Sequence, residues 1–141
     1  MYIRQTDLFW GMNQHVVNRI MSIARREAVA QGDTLFRSGD AARHVFILAQ
    51  GEVEITMGES QTHVYTGNQV GEVFGLASLI DRNTYGGDAT CTTPVVVLKL
   101  ARGRLFKILD SDTSSGYLFF RQLSKALGGR LIHAYRQIME T

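Results

Sequence analysis

Residues 70–93 read VGEVFGLASLIDRNTYGGDATCTT and place two glycine turns around a short apolar segment. This order is typical of a strand end, a glycine turn, a short helical turn, a second glycine-rich turn and another strand. A turn with free backbone N–H groups that opens a helix can hold an anion, because the amide dipoles converge there. Alternatively, the glycines serve only as tight turns, which need positive φ angles. The stretch by itself leaves both interpretations open.

The composition indicates one globular domain without a strong electrostatic field. The chain has 141 residues, of which 45% are hydrophobic and 20% charged, and its net charge is +2. This length suffices for one apolar core, and so small a charge does not favour nucleic acid as a partner. The single cysteine, Cys91, excludes an intrachain disulfide and suits a reducing cytoplasm. No apolar run is long enough to cross a membrane, and no signal peptide is visible. We therefore expect a single cytoplasmic domain over residues 1–141.

Away from the central stretch, the apolar pattern changes from helical to strand-like and back. Apolar residues at helical spacing predict an N-terminal helix over residues 13–27. Between residues 29 and 100, glycine pairs separate short apolar runs, as in an antiparallel roll or barrel. Helical spacing returns over residues 102–139. The sequence therefore predicts a mainly β fold, an antiparallel β-roll of jelly-roll type with an N-terminal helix and a long C-terminal helix. The predicted strands include residues 34–36, 45–48, 53–57, 63–66 and 95–100.

The long C-terminal helix, predicted over residues 115–139, carries an apolar stripe that suggests contact with a partner. At about 1.5 Å per residue it would extend roughly 35 Å, past the edge of a small roll. We therefore expect it to pair with the same helix of a second copy in a homodimer. Gly128 and Gly129 each cost roughly 1 kcal/mol of helix propensity relative to alanine, and they indicate a bend or a close helix crossing. The stripe consists of Phe120, Leu123, Leu127, Leu131, Ala134 and Ile138.

The order of these elements resembles the cyclic nucleotide-binding domain of the catabolite activator and nitrate-reductase regulator superfamily. Three segments carry the resemblance: GDTLFRSGD at residues 32–40, FILAQGEV at residues 46–53, and GEVFGLASLI at residues 71–80, followed by Ala89. The resemblance spans about residues 8–139. It implies a regulatory module that binds a small effector in its roll and signals through its C-terminal helix.

The family's phosphate-binding cassette resembles Phe-Gly-Glu-Leu-Ala-Leu, followed about nine residues after the Glu by Arg-(Ser/Ala)-Ala-(Thr/Ser). The resemblance implies that the Glu accepts from the ribose 2′-hydroxyl, that the Arg pairs with the cyclic phosphate, and that a hydroxyl completes the site. Two alignments fit this chain. In one, Glu72 is the family's acidic residue and would hold the ribose. In the other, Phe74 and Gly75 match Phe-Gly, so that Leu76 replaces the Glu and Tyr85 replaces the Arg.

We favour the second alignment, because it keeps the nine-residue spacing and resembles a family variant, Phe-Gly-Trp-Ser-Ser-Leu, that lacks the acidic residue. Both nucleotide-anchoring side chains are then absent, and Asp88 stands where a hydroxyl is expected. A buried phosphate without its arginine loses roughly 2–5 kcal/mol, and Asp88 would add repulsion. We therefore expect weak or no binding of cyclic AMP and cyclic GMP, and a less charged or more apolar effector. The predicted ligand-binding residues are Phe74, Gly75, Leu76, Ala77, Ser78, Tyr85, Gly86, Gly87, Asp88 and Ala89.

Two alternatives to this sensor stay open. Arg82, three residues before Tyr85, could supply the missing cation, and with Glu72 it would make a true cyclic nucleotide sensor. The chain could also be a module with a non-binding pocket that acts by dimerising or by docking another protein.

Other kinds of site have weaker support. The histidines His15, His44, His63 and His133 do not share metal-ligand spacing on one element, so we expect no metal site. Some relatives hold haem in this roll, which leaves haem as a minor alternative. No catalytic trio, P-loop or dinucleotide fingerprint is visible, so we expect no enzyme. Family members that regulate transcription carry a helix-turn-helix after the long helix. No room remains for one before Thr141, so we expect no direct DNA binding by this chain.

Overall fold

In the computed structural model, residues 5–140 are described and form an eight-stranded β-roll flanked by helices. Residues 1–4 and Thr141, the ends of the predicted domain, lie outside the described residues. The helices are α1 (Gln5–Phe9), α2 (Gln14–Ser22), a 3₁₀ helix (Leu76–Leu79), α3 (Arg102–Ser111) and α4 (Thr113–Glu140). The strands are β1 (Arg25–Val29), β2 (Thr34–Phe36), β3 (His44–Gln50), β4 (Val53–Met57), β5 (Thr62–Gly67), β6 (Val73–Phe74), β7 (Asp88–Cys91) and β8 (Val95–Ala101).

The strands form two four-stranded sheets, with the orders β1-β8-β3-β6 and β2-β7-β4-β5. Every pairing between these strands is antiparallel. The non-consecutive order means that the chain crosses repeatedly between the two sheets, which is how a roll closes on itself. The predicted fold class, an antiparallel β-roll with an N-terminal helix and a long C-terminal helix, is confirmed.

The N-terminal helix is shorter than predicted. Asn13 caps α2, and its side chain accepts a hydrogen bond from the backbone N–H of His15. The helix ends at Ser22, however, and residues 25–29, most of which the prediction had assigned to the helix, pair with β8. Apolar residues at helical spacing stop at Ala24, and beyond it the backbone bonds to a neighbouring strand. Pairing with the sheet outweighs the local helix propensity there, so the roll begins earlier than residue 29.

Two apolar clusters hold the fold together. The helix-side core lies between the helices and one sheet, and it includes Ile20, Leu105 and Phe119. The roll interior includes Val53 and Tyr85. Strand β3 is buried on both faces, because alternate residues reach the two clusters: Val45 and Ile47 belong to the helix-side core, and Phe46 and Leu48 to the roll interior.

The long helix α4 is covered by the rest of the chain only over its first half. Phe119 and Leu123 are 1% and 2% exposed and belong to the helix-side core. In the second half, Leu131 and Ile138 are 51% and 70% exposed. The prediction was therefore wrong for Leu123, because this residue packs in its own domain and does not present a surface to a partner helix.

Candidate effector-binding site

The two glycine turns of residues 70–93 meet at one cavity of the roll. Its volume is about 260 Å³, slightly below the range of about 300–1,000 Å³ that is common for small-molecule sites. Most of the predicted ligand-binding residues line this cavity, so residues from both turns share one site. These are Phe74, Gly75, Leu76, Ala77, Tyr85, Gly86 and Gly87.

Three predicted ligand-binding residues do not line the cavity. The Ser78 side chain is fully buried, and its hydroxyl donates to the Gly75 carbonyl at 2.8 Å. Ala89 is buried in the roll interior. The Asp88 carboxylate accepts a hydrogen bond from the Ser38 N–H at 2.7 Å, in the turn after β2. Asp88 therefore contributes no carboxylate to the cavity wall, contrary to the expected repulsion.

The glutamate and arginine of the alternative nucleotide site do not line the cavity either. Glu72 is 1% exposed, and its Oε2 accepts a hydrogen bond from the Tyr65 hydroxyl at 2.8 Å. Its Oε1 accepts no hydrogen bond from the residues that the structure describes. Arg82 is exposed in the loop after the 3₁₀ helix. The geometry therefore does not favour a ribose and phosphate held by Glu72 and Arg82.

Gly75 explains why the first turn has its shape. Its φ angle is +83°, in the left-handed region, and it caps the 3₁₀ helix that begins at Leu76. A Cβ atom at this position would lie 2.9 Å from the His44 carbonyl oxygen and close to the ring of Tyr85. Only glycine fits such a close approach without strain. The Phe74–Gly75 pair thus directly precedes the short helix, which agrees with the favoured alignment.

Tyr85, which the favoured alignment places at the family's arginine position, is 5% exposed. Its ring stacks on Phe36 with 4.0 Å between the centroids. Its hydroxyl donates to the His44 carbonyl at 2.6 Å and accepts from the His44 N–H at 3.2 Å. Burial raises the pKa of the Tyr85 hydroxyl, so the side chain is neutral at physiological pH. Tyr85 therefore gives the cavity an uncharged wall, and its hydroxyl is already hydrogen-bonded.

Sequence reasoning missed the walls that other elements contribute. The roll strands add five lining residues, and Arg130 of α4 adds one. Ile55 and Met57 share the side-chain alternation of β4, so the period of that strand was a usable signal. Arg130 carried no such signal, because nothing in the spacing of α4 indicates that this position faces the roll. The lining residues from the strands are Phe36, Ile55, Met57, Tyr65 and Val73.

The family model of the cyclic nucleotide-binding domain matches residues 26–112. The chain belongs to the cyclic nucleotide-binding domain family. Among curated proteins, the cyclic AMP receptor protein of Thermus thermophilus is 27% identical over 104 residues, which are 71% of this chain and 47% of that protein. The chain thus spans about half the length of this relative.

Solved structures of similar fold come from several bacterial regulators. The N-terminal domain of a transcriptional regulator from Streptomyces coelicolor has a TM-score of 0.77 and 22% identity, with 90% of this chain and 92% of that one covered. The catabolite activator protein of Thermus thermophilus has a TM-score of 0.78 and 23% identity, with coverages of 94% and 61%. The sensor domain of the regulator DNR from Pseudomonas aeruginosa has a TM-score of 0.72 and 19% identity, with coverages of 89% and 85%. The cyclic nucleotide-binding domain described here therefore has the fold of regulatory sensor domains in transcriptional regulators.

No helix within residues 5–140 combines the length and the apolar character that crossing a membrane requires. No three His, Cys, Asp or Glu side chains in this range are placed so that they could share a metal ion.

Proposed function

We propose that this cyclic nucleotide-binding domain senses a small effector other than cyclic AMP or cyclic GMP, and that it signals through α4. The observation that carries this proposal is the state of Tyr85. Its ring stacks on Phe36, and its hydroxyl is hydrogen-bonded to the backbone of His44. The favoured alignment places this residue at the family's arginine position.

Cyclic nucleotides fit this cavity poorly for an energetic reason. A phosphate removed from water needs a cation or several donors close by. The two glycine turns contribute the uncharged side chains of Leu76 and Tyr85 to the cavity wall. The favoured alignment assigns these positions to the family's acidic residue and arginine. The cavity volume of about 260 Å³ also favours a small molecule. An effector with an apolar body gives up less hydration free energy on entering this site than a nucleotide does.

The route from the cavity to α4 is short, because Arg130 of this helix is part of the cavity wall. An effector can shift a helix only by its different affinity for two helix positions. A wall shared between the roll and α4 provides that difference, since a bound molecule would contact both. Movement of α4 is therefore the output that this geometry supports.

The output surface is the second half of α4, and we propose a second copy of this chain as its partner. Five apolar side chains there are between 51% and 83% exposed, and contiguous exposed apolar patches usually mark interaction sites. Residues spaced alternately by three and four along the helix form the seam that a two-stranded coiled coil uses. The exposed apolar side chains are Leu131, Ile132, Tyr135, Ile138 and Met139. In this half the seam consists of Leu127, Leu131, Ala134 and Ile138.

A second candidate function is a docking module that binds no effector. The observation in its favour is a groove of about 790 Å³ between α1 and α4. Trp10, 73% exposed, lies on its wall together with Ile132. In this case the exposed face of α4 would act without regulation by a ligand.

A thermal-shift screen of small metabolites, nucleotides and haem, followed by calorimetric titration, tests the sensor against the docking module. A ligand at one hundred times its Kd stabilises the folded state by about 2.7 kcal/mol. We expect at least one small molecule to raise the Tm, and no rise with millimolar cyclic AMP or cyclic GMP.

A cavity-filling variant provides the specificity control. Ala77→Phe places a ring in the cavity and should abolish the stabilisation, whereas Val64→Phe adds the same ring on an exposed strand position outside it. Micromolar binding of either cyclic nucleotide would refute the sensor proposed here. A screen without any stabilising compound would favour the docking module.

A further inference from the structure

The proposed effector cavity has one ionised side chain on its wall, and it comes from α4 instead of the glycine turns. Arg130 is the only Asp, Glu, Lys, Arg or His among the described residues that line the cavity. All the other lining side chains are apolar or aromatic, or belong to glycine. The charge that a ligand meets here is therefore positive and located at one point.

The Arg130 guanidinium has no competing partner within residues 5–140. No hydrogen bond or ion pair of this side chain is present there, and the salt bridge of that range joins Lys99 to Glu27 at 3.8 Å. A guanidinium offers five N–H donors in a planar fork that matches a carboxylate with two parallel hydrogen bonds. An unpaired fork at the edge of an apolar cavity is suited to a ligand carboxylate.

The rest of the cavity wall indicates what such a ligand must carry besides its charge. Four aromatic rings line the cavity, from Phe36, Tyr65, Phe74 and Tyr85. A water molecule occupies about 30 Å³ in the liquid, so the cavity of about 260 Å³ accommodates roughly nine groups of that size. This space corresponds to one small ring or a short alkyl chain.

The electrostatics favour one negative charge on the ligand rather than two. Arg130 supplies a single cation, and no second charged side chain among the described residues lines the cavity. Removing a second negative charge from water has an energetic cost that a partner must offset. A dianion such as a phosphate monoester brings that second charge without a second cation, so a monocarboxylate is favoured.

We propose that the cavity binds a small monocarboxylate with an aromatic or aliphatic body, and that Arg130 is the specificity-determining residue that binds the carboxylate. This inference rests on the proposed sensor function and names the chemical class of its effector. The β-roll contacts the apolar body of the ligand and Arg130 of α4 binds its carboxylate, so the ligand bridges the roll and the helix. A neutral molecule of the same shape would fill the cavity without engaging α4.

Calorimetric titration with phenylacetate and its neutral isostere phenylacetamide tests this assignment, with benzoate and hexanoate and their amides as further pairs. In the wild-type protein the acid should bind at least about tenfold more tightly than the amide, as expected for hydrogen bonds to a charged group. Arg130→Gln should reduce acid binding at least about tenfold, to near the level of the amide, and should lower amide binding far less. Arg136→Gln removes an equal charge from α4 at a position that does not line the cavity, and should change neither. Arg130→Lys keeps the charge without the fork and should retain part of the acid preference.

Tryptophan fluorescence provides a second readout that charge neutralisation alone would not change. Trp10 is the single tryptophan of the chain, and it lies in the groove with Lys125 and Ile132 of α4. Movement of α4 alters the surroundings of this ring. We expect the acids to shift the Trp10 emission in the wild type, and neither the amides nor the Arg130→Gln variant to show that shift.

The outcomes separate this inference from the sensor function on which it rests. Equal binding of acid and amide, or equal losses in Arg130→Gln and Arg136→Gln, would overturn the role of Arg130 and leave the cavity as a ligand site. Failure of all three acids to bind the wild type at millimolar concentration would overturn the monocarboxylate class. In that case a stabilising hit of other chemistry in the thermal-shift screen would still support a sensor, and a screen without hits would remove the sensor as well.

Discussion

The two halves of α4 carry similar apolar patterns and have opposite surroundings. In the first half, Phe119 and Leu123 are almost completely buried against α1 and the roll. In the second half, Leu131, Tyr135 and Ile138 are more than half exposed. Both halves carry apolar residues at helical spacing, so the pattern along the helix does not distinguish them.

This difference teaches that one amphipathic helix can serve two purposes in succession. The first half is part of the domain's own core, and its side chains contribute to folding. The second half lies beyond the roll, where its apolar stripe gains stability only by contact with another surface. Arg130 lies near the start of the second half, beside the cavity, so a ligand there would contact the part of α4 that the domain's own core does not cover.

The largest expected effect is a difference in folding stability between substitutions in the first and the second half of α4. Phe119→Ala removes a fully buried ring that packs on Phe9, with 6.0 Å between centroids, and it should cost about 3–5 kcal/mol of unfolding free energy. Tyr135→Ala, which is 55% exposed before mutation, should cost less than about 0.5 kcal/mol in the dilute monomer. Urea denaturation followed by circular dichroism measures both. Equal losses in the two variants would mean that the second half also belongs to the core.

The next effect concerns association and should appear only in the second half. Leu131→Glu puts a charge into the proposed seam, and it should weaken the dimer at least about a hundredfold without unfolding the domain. His133→Glu adds the same charge two residues further on, about 200° around the helix, and should leave the dimer intact. Sedimentation equilibrium over a range of concentrations gives both dissociation constants. A wild-type chain that stays monomeric at every concentration would contradict the proposed homodimer.

Replacing a glycine by alanine should change the free energy of unfolding in opposite directions in the two halves of α4. A Cβ at Gly116 would lie 2.9 Å from the Leu109 carbonyl oxygen, so Gly116→Ala forces α3 and α4 apart and should cost about 1–3 kcal/mol. A Cβ at Gly128 meets no described atom within 4 Å, so Gly128→Ala should stabilise the helix by up to about 1 kcal/mol. Thermal unfolding of the two variants decides the signs. A weakened dimer in Gly128→Ala would additionally place this glycine at a close helix crossing.

The smallest expected effect is a pH dependence of stability that comes from His44 in the roll and does not involve α4. Burial, with a smaller contribution from Lys99, lowers the pKa of His44 below 6.5. The unfolded chain therefore binds more protons than the folded chain just below pH 6.5, and stability falls as the pH decreases through this window. The loss is small because the ring keeps much of its contact with water. Unfolding at about pH 5.5 and about pH 7.5 should show it, and His44→Gln should reduce the difference between the two pH values. An unchanged difference in that variant would assign the acid sensitivity to another group.

Much of the fold was predictable because it depends on local patterns. Strands β2 and β4 have the predicted bounds, since glycine turns and side-chain alternation mark both ends of each. The N-terminal helix was predicted too long, because nothing local shows that residues 25–29 pair with β8. Leu123 was placed on the partner face because the same spacing serves a contact within the chain and a contact with another chain.

The two glycine turns of the candidate site were predictable from the sequence, whereas the side-chain positions that depend on other elements were not. The two glycine turns converge on one cavity, as adjacent turns of a roll allow. The orientation of Asp88 toward Ser38, and of Glu72 toward Tyr65, depends on donors that other elements bring close. Those donors are distant along the chain or follow a turn, so their positions emerge only when the sheets pair.

The amino-acid sequence by itself determined the order of the elements and the glycine positions that permit left-handed turns, and it predicted an uncharged Leu76 and Tyr85 at the family's glutamate and arginine positions. These are properties of residue type and spacing, which act locally. Only the tertiary structure decided which part of α4 is covered and that Arg130 would form the charged edge of the cavity. Burial and proximity result from packing between segments far apart in the chain, and no local pattern of residues encodes such contacts.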